Sequence, residues 1–182
     1  MAEYALKARK LNPNPGAPLV PTGNPMVDGV GPAAYAMRAD VPDLTVYGEP
    51  KIVPMSALSG WSVEKRDPDP RGMPVIGCDG KVAGTVVDLW VNRSEPSIAY
   101  YEVQLTGSEA RRLLPYGYVQ WPNFGLWGCD RLLVKSITAA QFAQVPTTKA
   151  PTTITRLEED KIMAYYAGGH LYALPHRQEP WI

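Results

Sequence analysis

Apolar and polar positions alternate most clearly in the middle of the chain. A short apolar run, Val75-Ile76, precedes Asp79-Gly80, and a longer run follows through Val82, Val86, Val87, Leu89 and Val91. β-Branched side chains suit a pleated, half-buried surface, and glycine accepts the positive φ of a tight turn, so the pattern predicts a hairpin. Gly84 interrupts the second run, as a bulge or a close backbone approach would. A polar break at residues 92–97 leads into another alternating stretch, Ile98 to Leu105. Shorter strands are expected at 51–55, 111–116, 118–121 and 130–135, with a last one at 170–174. The expected architecture is mainly β with short helices. It is a small antiparallel barrel, with an extended Pro-rich N-terminal strap and a C-terminal helical appendage.

Two helices are signalled by their starts. Thr138 with Gln141 forms a capping box, Ile137 can staple to Phe142, and Pro146 stops that short helix. Thr155 with Glu158 forms a second box. Glu158, Glu159 and Asp160 there favour the positive end of the helix dipole. Ile162, Met163, Tyr165 and Tyr166 make the apolar side of this helix, and Gly168-Gly169 is its expected end. Between the strands at 118–121 and 130–135, Pro122-Asn123-Phe124-Gly125 reads as a turn insertion.

Composition separates the front of the chain from the rest. Of 19 prolines, 11 fall in the first 70 residues, which excludes long helices there. Lys7, Arg9 and Lys10 make residues 1–12 a weakly basic tail. Residues 13–34 carry a proline every few positions, yet Leu19, Val20, Met26, Val27 and Val30 punctuate them. A disordered linker would hold more charge and fewer aliphatics. The expectation is an ordered strap laying these side chains on a surface, its own or a partner's. Three segments follow: 1–50 (tail, strap and polar loop), 51–146 (barrel) and 147–182 (linker, helix and last strand).

Charge and motifs narrow the function by exclusion. The formal net charge is +0, which argues against binding nucleic acid through bulk charge. No nucleophile–base pair, metal-ligand spacing or Gly-rich phosphate loop is present, so an enzyme is not expected. His170 and His176 lack sequence partners for chemistry. Cys78 and Cys129 have no redox or metal spacing. The 10 Tyr and 5 Trp against 2 Phe suit interfaces as well as cores, since each buries area while keeping a polar edge.

Several blocks resemble one family in order along the chain. They are Gly16-Ala17-Pro18-Leu19-Val20-Pro21-Thr22-Gly23-Asn24-Pro25-Met26-Val27-Asp28-Gly29-Val30-Gly31-Pro32-Ala33, then Lys51-Ile52-Val53-Pro54, then Asp67-Pro68-Asp69-Pro70-Arg71-Gly72-Met73-Pro74-Val75. Ala83-Gly84-Thr85-Val86-Val87-Asp88-Leu89-Trp90-Val91, Leu157 to Ile162 and Tyr165-Tyr166-Ala167-Gly168-Gly169 follow. Together they resemble the cytoplasmic part of the H subunit of purple-bacterial photosynthetic reaction centres. The family's N-terminal membrane helix has no counterpart among these blocks. The expectation is a separate transmembrane-helix chain as anchor.

The resemblance implies a barrel of the photoreaction-centre (PRC) type on the cytoplasmic face of the photosynthetic membrane. It implies core subunits L and M as partners, with light-harvesting antenna proteins as further contacts. It implies no cofactor held by this chain: quinones, bacteriochlorophylls and iron would belong to the partners. The implied role is to stabilise the core, shield the quinone sites and assist proton delivery to the secondary quinone. The competing expectation is a stand-alone PRC-barrel adaptor, similar to a ribosome-maturation protein.

Glu95 falls by resemblance on the family's acidic residue near that quinone. Asp88 and Glu102, on the flanking strands, could extend an acidic relay, and Glu49 and Asp43 lie in the preceding loop. Tyr47 and Glu49 occupy positions where the resemblance implies histidines. Arg93, Asn92, Lys51 and Arg38 are the expected electrostatic tuners, with Arg93 placed to favour ionised Glu95. Asn92 stands where the family often has an aspartate. The expected core-subunit interface is Leu19, Val20, Met26, Val27 and Val30.

Overall fold

A computed structural model describes residues 5–122 and 130–178 of the chain. The predicted central hairpin forms: β4 (Pro74–Ile76) pairs antiparallel with β5 (Val82–Asn92). The turn closes through Gly77 N donating to Lys81 O at 2.9 Å, and Gly80 takes φ 74°. β5 then pairs along its length with β6 (Ser97–Leu105). At Gly84 a Cβ would land on the Gln104 carbonyl, so this glycine permits close approach of the two strands. The register irregularity beside it lies between Val75 and Ile76 of β4.

β6 continues into β7 (Arg111–Pro115), while β3 (Ile52–Pro54) pairs with the far end of β5. On the other side β4 meets β9 (Leu132–Val134), which pairs with β8 (Val119–Gln120). Two expectations change here. The β4–β9 pairing is parallel, so the sheet is not purely antiparallel. Among the described residues the barrel does not close: its order runs β7-β6-β5-β4-β9-β8, with β3 branching from β5. The turn insertion expected from Pro122 onward lies outside the described residues from 123 to 129.

Asp88, Leu89, Trp90 and Val91 are four successive buried residues on β5. A strand with one wet face would alternate; β5 is covered on both faces. The helix α2 (Arg156–Tyr172), which starts at the predicted Thr155/Glu158 capping box, packs on the sheet at β7 and completes the core there. Ile162, Tyr165 and Tyr166 of α2 are essentially inaccessible and belong to the same core as Leu89, Tyr101 and Leu114.

The end of α2 departs from expectation. The helix runs through Gly168 and Gly169 to Tyr172, and the expected strand at 170–174 is helical turn instead. The physical reason is contact. A Cβ on Gly168 would sit 2.6 Å from Ala33 Cβ, and one on Gly169 would sit 2.6 Å from Ser136 O. The glycines therefore let the strap and the segment after β9 press against the helix. The other predicted helix, from the Thr138/Gln141 box, is a 3-10 helix, Ala139–Gln144, rather than an α-helix.

The strap is ordered, as expected. The basic tail pairs back on it as β1 (Ala8–Lys10) with β2 (Leu19–Pro21), and a one-turn helix α1 (Pro25–Asp28) follows. Asn24 caps α1 by accepting from Met26 N. A 3-10 turn, Gly31–Ala33, then lies along α2. The surface that receives the strap is thus this chain's own helix.

Candidate functional site

The polar turn between β5 and β6 is built by Asn92. Its Oδ1 accepts from Ser94 N at 2.9 Å and Glu95 N at 3.3 Å. An aspartate would offer the same acceptor, so the side chain at this position serves turn geometry whether or not it ionises. Glu95 is held at the exposed tip, with no side-chain partner among the described residues. Arg93 does not pair with it. Its guanidinium instead donates to the Glu49 carboxylate and to Pro50 O at 3.5 Å, tying this turn to the preceding loop. The expected tuning of Glu95 by Arg93 is replaced by an Arg93–Glu49 pair. Tyr47, Glu49, Arg93 and Ser94 together line a shallow cavity of about 380 Å³.

Asp88 and Glu102 are brought together as cross-strand partners. Asp88 is buried; Ser56 Oγ donates to its Oδ2 at 2.5 Å and Leu89 N to its Oδ1 at 2.7 Å. Glu102 lies 3.6 Å from Arg111. These acids are not continuous with Glu95. Asp88 precedes Asn92 by four residues along β5, roughly 13 Å at the rise of an extended strand. Direct proton exchange needs hydrogen-bond distance, so Glu95 and Asp88 are two separate acidic positions.

Asp43 pairs with Lys51 at 3.6 Å, and Arg38 with Asp160 at 3.3 Å. These loop charges are therefore anchored, and two of their neighbours were not anticipated. Tyr100 Oη donates to Glu159 Oε2 at 3.2 Å. Burial pushes the Glu159 carboxyl up, opposed by the tyrosine hydrogen bond, with the Asp43 charge adding to the rise. Burial likewise pushes the Tyr100 hydroxyl up, with Glu159 contributing. Glu159 shows in sequence only as one of three acids at a helix start; nothing local announces its tyrosine partner 59 residues away. Glu158, beside it, is buried and accepts from Thr155 N and Lys149 N.

A pH prediction follows from Glu159. Its folded pKa is raised, so the folded state holds the proton more tightly than the unfolded chain. Its contribution is present below the unfolded value and declines as pH rises towards the folded value. Thermal unfolding of Glu159→Gln should lack that decline just above pH 4.5, the ordinary value, while the unsubstituted chain shows it. Identical pH profiles for the two chains would contradict this assignment.

The strap residues divide. Met26 and Val30 are buried on this chain, so they are not available to a partner, contrary to expectation. Val20 is half-buried in β2. Leu19 and Val27 stay exposed, at 46% and 55%. Val46 and Tyr47, in the loop that holds Glu49, are nearly fully exposed. Among the described residues no cluster of three metal-ligating side chains occurs, and no helix is long and apolar enough to cross a membrane.

Two family models match the chain. Residues 1–57 match the photosynthetic reaction centre H-chain N-terminal region, and residues 62–139 match the PRC-barrel domain. The first spans the hairpin, the strap and the loop carrying Glu49; the second spans the sheet from β4 to β9 and the Glu95 turn. With both regions present in that order, the two matches support an H-subunit-like protein.

Proposed function

We propose that this chain caps the cytoplasmic side of a reaction centre, against core subunits L and M. There it shields the quinone sites and helps deliver protons to the secondary quinone. The observation that carries the reading is the pair of family matches joined to one geometric fact. The PRC sheet presents Glu95, a carboxylate with no side-chain partner among the described residues, on a turn whose direction Asn92 sets. The family matches support association with a reaction-centre core, and the exposed Leu19, Val27, Val46 and Tyr47 are among the apolar groups that could make such contacts.

The physical requirement is simple. A quinone reduced by two electrons takes up two protons while held away from bulk water. The quinone and iron chemistry would reside in the partner subunits; this chain supplies the proton-carrying group and the cover. Glu95 is accessible to solvent in the isolated chain and would become enclosed on docking. Enclosure raises a carboxyl's pKa towards the working range of a proton carrier. Glu49, reached through Arg93 and the shared cavity, is a second carboxylate on the same side. Asp88 and Glu102, distant along the strand, are not assigned to this route.

Glu95→Gln in the assembled complex should slow the second electron transfer, which waits on a proton, by about tenfold or more. The first should be nearly unaltered. Flash-induced proton uptake checks this, with co-purification of the variant with pigmented membranes as the control for assembly. Unaltered proton uptake in assembled complexes would remove Glu95 from the route. A chain that never accompanies pigment would favour the stand-alone adaptor and end the reading as a whole.

A further inference from the structure

The hairpin at the front of the chain stands apart from the main sheet. β1 and β2 pair with each other and join no other described strand. Leu11 N donates to Pro18 O at 2.9 Å and Thr22 N to Lys7 O at 3.0 Å, so the ribbon runs past both ends of the two strands. Lys7 ties it down through Asp28, at 2.7 Å. The basic tail is thus an ordered, anchored ribbon.

Its charge is one-sided. Residues 5–27 hold Lys7, Arg9 and Lys10 and no acid, although the chain as a whole is neutral. Lys7 is engaged by Asp28; Arg9 and Lys10 are exposed and form no ion pair with a described residue. Lys10 lies opposite Leu19, and Ala8 opposite Pro21. Alternation puts Leu6 on that same face, and Leu6 and Leu19 are 47% and 46% exposed. Arg9 takes the other face, but a two-stranded ribbon is thin and a long side chain can extend around its edge.

The pairing of basic with aliphatic groups selects the partner. A soluble polyanion would engage the cations and leave both leucines in water. An uncharged apolar groove would strip water from Arg9 and Lys10 without compensation. Protein interfaces are enriched in Tyr and Trp and depleted in Lys. Residues 5–27 carry Lys7 and Lys10 and no aromatic residue, in a chain with 10 Tyr and 5 Trp. An anionic bilayer surface meets both needs: headgroups attract Lys and Arg, and the acyl boundary takes up Leu.

We propose that the β1–β2 hairpin docks on an anionic lipid surface, with Arg9 and Lys10 against the headgroups and Leu6 and Leu19 at the acyl boundary. This assigns Leu19 to lipid rather than to the core subunits, and it needs neither those subunits nor Glu95. Two cations and two leucines hold weakly by themselves. In an assembled membrane complex the tethered hairpin would act at high effective concentration.

The test is sedimentation of the full chain with vesicles of phosphatidylglycerol and phosphatidylcholine in equal parts, at low salt. The bound fraction should rise with lipid and fall severalfold at physiological salt. Each basic residue near such a surface contributes about fivefold in affinity, so Arg9→Gln with Lys10→Gln should weaken binding about thirtyfold. Leu19→Ser should weaken it about fivefold. Lys65→Gln with Arg66→Gln removes the same charge from another exposed segment and should bind nearly as the unsubstituted chain does. All five positions are exposed, so the unfolding midpoints should agree. Equal binding to phosphatidylcholine alone would overturn the role of the cations, and equal losses in the two double variants would reduce it to bulk charge. Undiminished binding by Leu19→Ser would overturn the seating of the leucines. Absence of binding to either vesicle would overturn the proposal and leave the hairpin to a protein partner, with the reading of Glu95 untouched.

Discussion

Gly169→Val is expected to lower the unfolding free energy by about 2–3 kcal/mol, read as a reduced midpoint in urea at unchanged slope. The new Cβ would sit 2.6 Å from Ser136 O and closer still to the Ile137 side chain. Ser136 and Ile137 are themselves buried behind β9, so neither can retreat into solvent. Gly169→Ala is the sharper comparison. In a free helix alanine is favoured over glycine by about 1 kcal/mol. Here the contact is with backbone oxygen, so the overlap outweighs the propensity and the alanine variant should also lose stability. A stabilised alanine variant would show that α2 does not press on the 136–137 segment as described.

Tyr166→Ala is expected to cost about 3–5 kcal/mol, the range for removing a large buried aromatic. Native stability is typically about 5–15 kcal/mol, so this variant stands near the limit of folding. The ring is inaccessible to solvent and meets Phe142 and Tyr165 edge-on, with centroids at 6.0 and 6.3 Å. Tyr118 lies 5.5 Å away on another side. The Tyr166 hydroxyl donates to Leu113 O at 3.2 Å, joining α2 to β7. Tyr166→Phe keeps the ring and loses that bond, so it should cost only about 1 kcal/mol. Equal losses in the two variants, measured by the same urea titration, would mean that the hydroxyl rather than ring packing dominates.

Both variants act where the strap, the helix and the sheet converge, and that junction also bears on the proposed function. α2 holds the loop of residues 38–43 through Arg38–Asp160, and Lys149 and Thr155, just before it, hold Asp40. The same loop leads to Glu49, whose carboxylate holds Arg93 beside the Glu95 turn. A loosened α2 should therefore disturb the geometry around Glu95 without any substitution there.

The candidate site was legible only in part. Glu95 stands out through the family resemblance; the residues around it show only a polar Glu-Pro turn between two strands. The role of Asn92 as turn acceptor is local too, and it does not depend on the charge that an aspartate would bring. Arg93 shows the limit. Its nearest acid in sequence is Glu95, two positions away, but two residues apart in a tight turn need not face each other. The chain brings Glu49 to it from 44 positions away. Tyr100 and Glu159 met in the same manner, through the docking of α2 on the sheet.

The sequence by itself determined features whose physics closes within a few residues. These are the Asp79-Gly80 hairpin, the long β5–β6 pair, the capping boxes at Thr138 and Thr155, and the ordered strap. Each rests on local hydrogen bonding, backbone sterics or alternation. Only the tertiary structure decided that β4 and β9 run parallel, that Met26 and Val30 turn inward, and that α2 continues through two glycines. Glycine disfavours a helix locally. Ala33, Ser136 and Ile137 reverse that preference by packing where a side chain would have stood, and all three are distant in the chain. Contacts of that range leave no pattern in the residues beside them, because their energy appears only once separate elements have met.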